Sequence, residues 1–179
     1  DGTFAVAVDG GPTPFTGDDE VLLRIGIAAR DVRDRARDDA SLTFVIDTSG
    51  SMEQQARLEL VKDALRVLVR ELDGGDTVAI VTFGDDARVV LEPTSVDDAE
   101  VILDVIDRLR TGGSTNLEAG LRLGYELARE TLTENGIDRV VLASDGVANV
   151  GLTDGDDILR RIREDAEAGI ELISIGVGM

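Results

Sequence analysis

The sequence predicts an α/β fold in which a doubly wound, mainly parallel sheet has helices on both faces. From Ser41 onward, short apolar segments alternate with longer amphipathic ones, which is the pattern of a parallel sheet with crossover helices. The apolar segments are continuous runs, as expected for strands that are buried on both faces. We also expect one short antiparallel strand at an edge of the sheet and an N-terminal β extension.

The first part of the chain, residues 1–40, is predicted to form this β extension and a charged linker. Two possible strands, Thr3 to Val8 and Glu20 to Ala29, flank a segment from Gly10 to Asp19 that is rich in glycine and proline. Such a composition is typical of a loop. The segment from Asp31 to Ala40 is highly charged and has no apolar face to bury, so we interpret it as the linker.

The main domain, residues 41–179, is predicted to begin with a strand, a helix and a hairpin. The strand is Leu42 to Ile46, and an amphipathic helix follows from Gln54 to Asp73. The apolar stripe of this helix consists of Leu58, Val61, Leu65, Leu68 and Leu72. Thr77 to Phe83 is the next strand, and a short turn joins it to a short third strand, Arg88 to Leu91. Two apolar runs joined in this way indicate an antiparallel hairpin.

The remaining elements alternate between helix and strand to the end of the chain. They are helix Val96 to Leu109, helix Asn116 to Leu132, strand Arg139 to Ser144, helix Asp156 to Ala168 and strand Ile170 to Val177. In the first of these helices we expect Val101, Val105 and Leu109 to face the core. In the second, Gly120 and Gly124 lie about one turn apart, which would allow the helix to approach the sheet closely.

The composition limits the chemistry that this chain can perform. Histidine and cysteine are absent, which excludes disulfide bonds, thiolate nucleophiles, Ser-His-Asp triads and ordinary structural zinc sites. Any metal must be held by oxygen atoms, which favours Mg²⁺, Mn²⁺ or Ca²⁺. The net charge of −19 disfavours nucleic acid as a partner. No apolar run reaches the roughly 18 residues of a membrane span, so we expect no membrane insertion by this segment.

Three polar clusters lie at the ends of predicted elements. Asp47, Ser49 and Ser51 follow the first strand of the main domain, Thr115 precedes a helix, and Asp145 follows a strand that we expect beside the first. Together they offer two carboxylates and three hydroxyls, all of them donors for a hard cation. A centre with mostly neutral donors stays electrophilic, so a carboxylate from a protein partner would be a favourable further ligand.

The sequence DTSGS at residues 47–51, the threonine of GGSTN at 115 and the aspartate of SDG at 145 resemble the metal-ion-dependent adhesion site of von Willebrand factor type A domains. The resemblance covers about Ser41 to Met179 and implies a Rossmann-like fold with a metal centre. The residues that it implies are Asp47, Ser49, Ser51, Thr115 and Asp145. In the family the serines and the threonine tend to touch the metal directly, whereas the aspartates often act through water.

The segments FAVAVDGGPTPF and VLLRIGIAARDV are similar to the region that precedes this domain in bacterial envelope-associated members of the family. This similarity favours the cell envelope or the extracellular space as the location, with the cytoplasm as the alternative. The family normally continues with another helix and strand beyond the position of Met179, so we expect these C-terminal elements to be missing from this piece.

We therefore interpret the chain as a protein-recognition module without enzymatic activity, in which Mg²⁺, Mn²⁺ or Ca²⁺ bridges to an acidic side chain of a protein partner. An alternative is a Mg²⁺-dependent phosphohydrolase, because an aspartate directly after the first strand also resembles the nucleophile of the haloacid dehalogenase type. Those enzymes have a second aspartate where this chain has Ser49, and they need a lysine, whereas Lys62 is predicted in mid-helix. A third interpretation is a scaffold domain with a vestigial site.

Each cluster also has a purely structural interpretation. Ser51 and Thr115 are each followed three residues later by a glutamine or a glutamate, which matches a helix-capping box, and Asp145 with Gly146 matches an ordinary turn. We favour the metal centre because all three clusters fall at ends of predicted elements. Other acidic groups fit solvated or helix N-terminal carboxylates better than a calcium loop. They are Asp85 with Asp86, Asp97 with Asp98, and Asp154 with Asp156 and Asp157.

Overall fold

The computed structural model describes residues 4–12, 21–29, 37–132, 136–146, 163–164 and 166–178. The chain divides into two compact units, residues 1–37 and residues 38–179. Most of the predicted helix Asp156 to Ala168 lies outside the described residues, as do Asp154, Asp156 and Asp157. In the described part of the chain, no helix combines the length and the apolar character that crossing a membrane requires.

The first unit contains an antiparallel pair of strands, β1 (Phe4–Pro12) and β2 (Val21–Ala29). The register pairs Phe4 with Ala29 and Pro12 with Val21. β1 is therefore longer than predicted, and the loop that we expected from Gly10 does not begin before residue 13. The backbone of β2 pairs with β1 along its whole length, so β1 continues through Gly10 and Gly11.

The second unit contains a five-stranded sheet in the order β5-β4-β3-β6-β7. Its strands are β3 (Ala40–Asp47), β4 (Thr77–Phe83), β5 (Ala87–Ser95), β6 (Ile137–Ser144) and β7 (Glu171–Gly176). All neighbouring strands are parallel except β4 and β5, which form an antiparallel pair at the edge. The doubly wound, mainly parallel sheet is confirmed. The antiparallel edge strand is also confirmed, but it has nine residues and is not short.

The helices cover the two faces of the sheet because successive side chains of a strand point in opposite directions. Phe44 and Ile46 of β3 are buried in the same core cluster as residues of α1 (Arg57–Glu71) and α2 (Ala99–Arg108). Val45, between them, is buried in a second cluster with residues of α3 (Leu117–Glu130). The central strand thus contributes to two cores, which explains its continuous apolar run.

The glycines of α3 allow the close approach that the sequence predicts. A Cβ atom built on Gly120 would lie 2.7 Å from Cδ1 of Phe83, and one on Gly124 would overlap Cγ2 of Val45. Larger residues at these positions would push α3 away from β3 and β4.

Two predicted helices differ from the observed ones. Residues 50–56 form a 3₁₀ segment with an internal kink, so α1 begins at Arg57 and not at Gln54. Gln55 and Ala56 have positive φ angles of 53° and 55°, which end the 3₁₀ segment and redirect the chain. In α2 the prediction that Val101 faces the core is wrong: Val101 is 53% exposed, and its neighbour Ile102 is buried.

Candidate metal centre

The three predicted clusters meet at the carboxyl edge of the sheet, where β3 and β6 lie side by side. This is the switch point of the strand order, because the chain winds outward from β3 to β5 and then returns to β6 on the other side. Ligands of doubly wound sheets bind in the crevice at this point. Backbone hydrogen bonds join the loop after β3 to the loop before α3, from Gly50 N to Gly113 O (3.1 Å) and from Gly112 N to Thr48 O (2.7 Å).

Asp47 is a fully buried carboxylate that two donors hold in place. Its Oδ1 accepts a hydrogen bond from the backbone N–H of Ser49 at 2.9 Å, and its Oδ2 accepts one from the Ser144 hydroxyl at 2.7 Å. The donors come from the loop after β3 and from the end of β6. The carboxylate therefore fixes the two central strands to each other.

The hydroxyls of Ser49 and Ser51 lie 3.0 Å apart and share a hydrogen bond. Adjacent oxygens of an octahedral Mg²⁺ site with bonds of about 2.0–2.1 Å are separated by roughly 2.9 Å. The observed separation therefore matches one edge of such an octahedron. Ser49 is only 2% exposed, so few water molecules compete for its hydroxyl.

Helix capping does not explain these hydroxyls. The side chain that caps α3 is Asn116, whose Oδ1 accepts a hydrogen bond from Ala119 N at 3.1 Å. The capping interpretation of Thr115 is therefore wrong. Ser51 lies within the 3₁₀ segment, and α1 starts after Ala56 without a side-chain cap. Thr115 is 2% exposed and directly follows the loop that is bonded to Gly50.

Asp145 is buried and forms an ion pair with a residue that the sequence analysis did not select. Its side chain is 1% exposed, and its Oδ2 accepts a hydrogen bond from Arg57 Nη1 at 2.7 Å. Arg57 also donates to the backbone carbonyls of Ser51 (3.3 Å) and Gly178 (3.5 Å). Gly146 follows with φ of 81°, so the predicted turn is present alongside the ion pair.

The donor set of the three clusters fits a hard divalent cation. Among the described residues, no group of three or more histidine, cysteine, aspartate or glutamate side chains could hold a metal ion, so hydroxyl oxygens are needed to complete a site. Asp47, Asp145 and Arg57 together carry one negative charge. A divalent cation would change this to one positive charge, and such a centre attracts an anionic ligand.

Among the other acidic residues, Asp85 has a structural role. Oδ1 of Asp85 accepts hydrogen bonds from the backbone N–H and the hydroxyl of Ser114, both at 2.8 Å. The backbone N–H of Ser114, its hydroxyl and the charge of Arg88 lower the pKa of Asp85 below its ordinary value. Asp85 therefore anchors the loop that leads to Thr115. From the sequence we expected a solvated or helix N-terminal carboxylate at Asp85, and nothing in the sequence pairs it with residue 114.

The model of the von Willebrand factor type A domain family matches residues 42–147, a range that contains all five residues of the candidate centre. The geometry defines a class of protein: an α/β domain with this sheet order and a polar crevice at the switch point. The chain belongs to the von Willebrand factor type A domain family. The predicted membership is thus confirmed.

Individual relatives agree with this assignment. Uncharacterized protein YfbK of Escherichia coli (strain K12) is 38% identical over 175 residues, which are 98% of this chain and 30% of YfbK. The chain spans only about a third of the length of the first curated relatives that it matches.

Two solved structures are similar in fold. The conserved hypothetical protein BatB from Bacteroides thetaiotaomicron has a TM-score of 0.65 and 25% identity, over 79% of this chain and 67% of BatB. Proximal thread matrix protein 1 from the mussel byssus, with a zinc-occupied MIDAS motif, has a TM-score of 0.62 and 25% identity, over 80% of this chain and 37% of that protein.

Proposed function

We propose that this chain is a metal-dependent protein-recognition module in which a divalent cation bridges to a carboxylate of a protein partner. The von Willebrand factor type A fold supports a protein-interaction module. The single observation that carries the metal is the pair of hydroxyls of Ser49 and Ser51, 3.0 Å apart, beside the buried carboxylate of Asp47. The ligand set that we propose is Asp47, Ser49, Ser51, Thr115 and Asp145.

The similarity to a structure with zinc at its MIDAS motif supports a divalent cation, while the choice of ion follows from donor chemistry. Carboxylate and hydroxyl oxygens prefer Mg²⁺ or Mn²⁺, and Ca²⁺ is a further candidate. The bound ion would supply a Lewis-acidic position for the partner's carboxylate. Asp47 would stay oriented by Ser49 N and Ser144, so the chain contributes a preformed set of donors.

Catalysis has less support in this arrangement. Lys62, the only lysine of the chain, is 4% exposed and donates to Oε1 of Glu59 (2.9 Å) and to the carbonyl of Asp107 (3.2 Å). It is thus committed to the contact between α1 and α2, away from the candidate centre. A phosphohydrolase of the haloacid dehalogenase type would need a lysine beside Asp47.

One observation favours a second candidate function, a scaffold domain with a vestigial site. The guanidinium of Arg57 already supplies one positive charge to Asp145 at 2.7 Å. If that charge replaced the metal, the chain would bind no divalent cation.

A location in the cell envelope or outside the cell stays a prediction from the sequence resemblance in either case.

Calorimetric titration of the chelator-treated chain with Mg²⁺ and with Mn²⁺ tests the proposal. We expect one ion per chain in the parent and loss of binding in Asp145→Ala and in Thr115→Val, which removes a hydroxyl at nearly constant volume. Thr94→Val is the matched control, because Thr94 is a partly exposed residue of β5 whose hydroxyl donates to the carbonyl of Glu92. Absence of binding in the parent would establish the scaffold interpretation instead.

A further inference from the structure

A pocket of about 360 Å³ is lined by residues that neighbour the candidate metal ligands in the sequence. Thr48, which lies in sequence between Asp47 and Ser49, lines the pocket, and so does Gly112, whose N–H donates to Thr48 O at 2.7 Å. The pocket continues from there to β5 and to the C-terminal end of α2. The loop after β3 thus contributes residues to both the candidate metal centre and the pocket.

Arginines outnumber carboxylates among the residues that line the pocket, although the chain carries a net charge of −19. Three of its lining residues are arginines, Arg88, Arg108 and Arg110, and two are acidic, Asp85 and Asp86. Arg88 comes from β5, while the other two lie at and beyond the end of α2. This excess of one arginine would reduce, at the pocket, the repulsion that such an acidic chain exerts on an anionic partner at long range.

The charges of the arginines are neutralised to different degrees. Arg108 pairs with Asp104 at 2.6 Å, whereas the contact between Arg88 and Asp86 is 4.0 Å long and both side chains are more than 70% exposed. Nη1 of Arg110 donates to two backbone carbonyls, those of Asp107 and Leu109, each at 2.8 Å. In the part of the chain that the structure describes, Arg110 has no carboxylate partner, so its charge is held in place and is available to a ligand.

Of the two acidic side chains that line the pocket, one is hydrogen-bonded to another residue and the other is exposed. Oδ1 of Asp85 accepts both donors of Ser114, and Asp86 is 78% exposed in its weak pair with Arg88. Val90, 37% exposed, adds an apolar surface to the wall. Arginines around a partly apolar pocket suit a carboxylate on a short aliphatic stem, because guanidinium groups bind carboxylates with charge-assisted hydrogen bonds.

We infer that this pocket is a second carboxylate subsite, and that the partner presents an acidic peptide segment with two carboxylates, one for the metal and one for Arg88 and Arg110. This inference rests on the proposed metal-bridged recognition, and it specifies the class of partner that the site selects. Two-point attachment would allow the chain to discriminate a segment with two acidic residues from a segment with a single one.

The test uses hexaglutamate as the probe and a peptide with one glutamate and five glutamines as its comparison. With Mg²⁺ present and at low salt, we expect hexaglutamate to bind more tightly than the comparison peptide. Arg110→Gln and Arg88→Gln should each weaken hexaglutamate binding about tenfold, the effect of one charge-assisted hydrogen bond, and leave Mg²⁺ affinity unchanged. Arg122→Gln is the control, because it changes the net charge equally on the exposed face of α3, where Arg122 pairs with Glu126.

Equal effects of all three substitutions, or equal affinity of the two peptides, would overturn the second subsite while leaving the metal bridge intact. Inorganic phosphate that binds this pocket in preference to hexaglutamate would also overturn the acidic-peptide assignment. If the parent binds no Mg²⁺, the proposed function fails. Binding of hexaglutamate to the pocket is then tested by NMR on the metal-free protein. Hexaglutamate should then still shift the amide signals of Gly84 and Gly112 in the parent and not in Arg110→Gln, and absence of these shifts overturns the subsite.

Discussion

Arg57, the first residue of α1, donates a hydrogen bond of 2.7 Å to the buried carboxylate of Asp145 at the end of β6. The same guanidinium reaches the carbonyl of Ser51 in the loop after β3 and that of Gly178 after β7. One side chain thus connects three segments around the candidate metal centre. Its positive charge lies beside a proposed metal ligand, so Arg57 and a bound divalent cation would both compensate the carboxylate of Asp145.

Replacing Arg57 by methionine should destabilise the metal-free chain and increase the stabilisation that Mg²⁺ provides. Methionine keeps an apolar stem but leaves Asp145, 1% exposed, without its cation. Removing one partner of a buried ion pair costs about 3–5 kcal/mol. A bound divalent cation would restore much of that loss. Urea unfolding with and without Mg²⁺ measures both quantities.

Arg122→Met is the control for this substitution, because Arg122 and Glu126 are both about half exposed, and exposed pairs contribute less than about 1 kcal/mol. If Mg²⁺ stabilises Arg57→Met and the parent by the same amount, Arg57 does not share the carboxylates with the cation.

Replacing Asp85 by alanine should destabilise the chain in a pH-dependent manner. The hydrogen bonds from Ser114 lower the pKa of Asp85 in the folded state, so its stabilising contribution is complete above the carboxyl pKa of the unfolded chain, about 3.9. That contribution is lost as the pH falls through the lower folded pKa. We expect the difference in urea midpoint between parent and variant to be constant from about pH 7 to 5 and to shrink below about pH 4.

Asp86→Ala is the matched control, because Asp86 is a neighbouring, exposed carboxylate whose contact with Arg88 is 4.0 Å long. It should change the urea midpoint little at any pH. A stability difference for Asp85→Ala that does not vary with pH would show that packing, and not the charge of Asp85, holds the loop.

The architecture was predictable from the sequence because each central strand is a continuous apolar run and each helix has a single apolar stripe. The second strand of the main domain, Thr77–Phe83, has the predicted bounds. The sequence-based predictions were wrong where the local pattern of apolar residues fits more than one arrangement. Val101 and Ile102 are adjacent and both apolar, so small differences in where α2 begins decide which of them is buried.

The candidate site was only partly predictable. Motif spacing selected Asp47 and Asp145, but it did not reveal Arg57, because an arginine at the start of an amphipathic helix ordinarily faces solvent. The missing signal is conformational: the positive φ angles of Gln55 and Ala56 place α1 so that its first side chain turns toward β6. Neither residue is a glycine, so nothing in the sequence indicates the positive φ angles of this turn.

Asp76 should prove important for stability although it lies in no motif. It is 1% exposed, its Oδ1 accepts from Ala40 N at 2.8 Å, and its Oδ2 accepts from Asp73 N at 2.8 Å. Asp76→Ala leaves both N–H groups without these bonds, and we expect a loss of about 2–4 kcal/mol in urea unfolding. Asp104→Ala, at an exposed position of α2, should cost far less. A loss of under about 0.5 kcal/mol for Asp76→Ala would contradict the role assigned to these bonds.

Replacing Gly124 by alanine should destabilise the chain, although alanine is favoured over glycine by about 1 kcal/mol inside a helix. The new Cβ would overlap Cγ2 of Val45, and overpacking of this kind costs about 1–3 kcal/mol. Val45→Ala removes the overlapping methyl, so the double variant should lose less than the sum of the two single changes in urea unfolding. Gly176→Ala is the control, because no neighbouring atom lies within 4 Å of its added Cβ. A gain in stability for Gly124→Ala would mean that α3 can move away from β3, and the loop before α3, which contains Thr115, would then not be fixed by this packing.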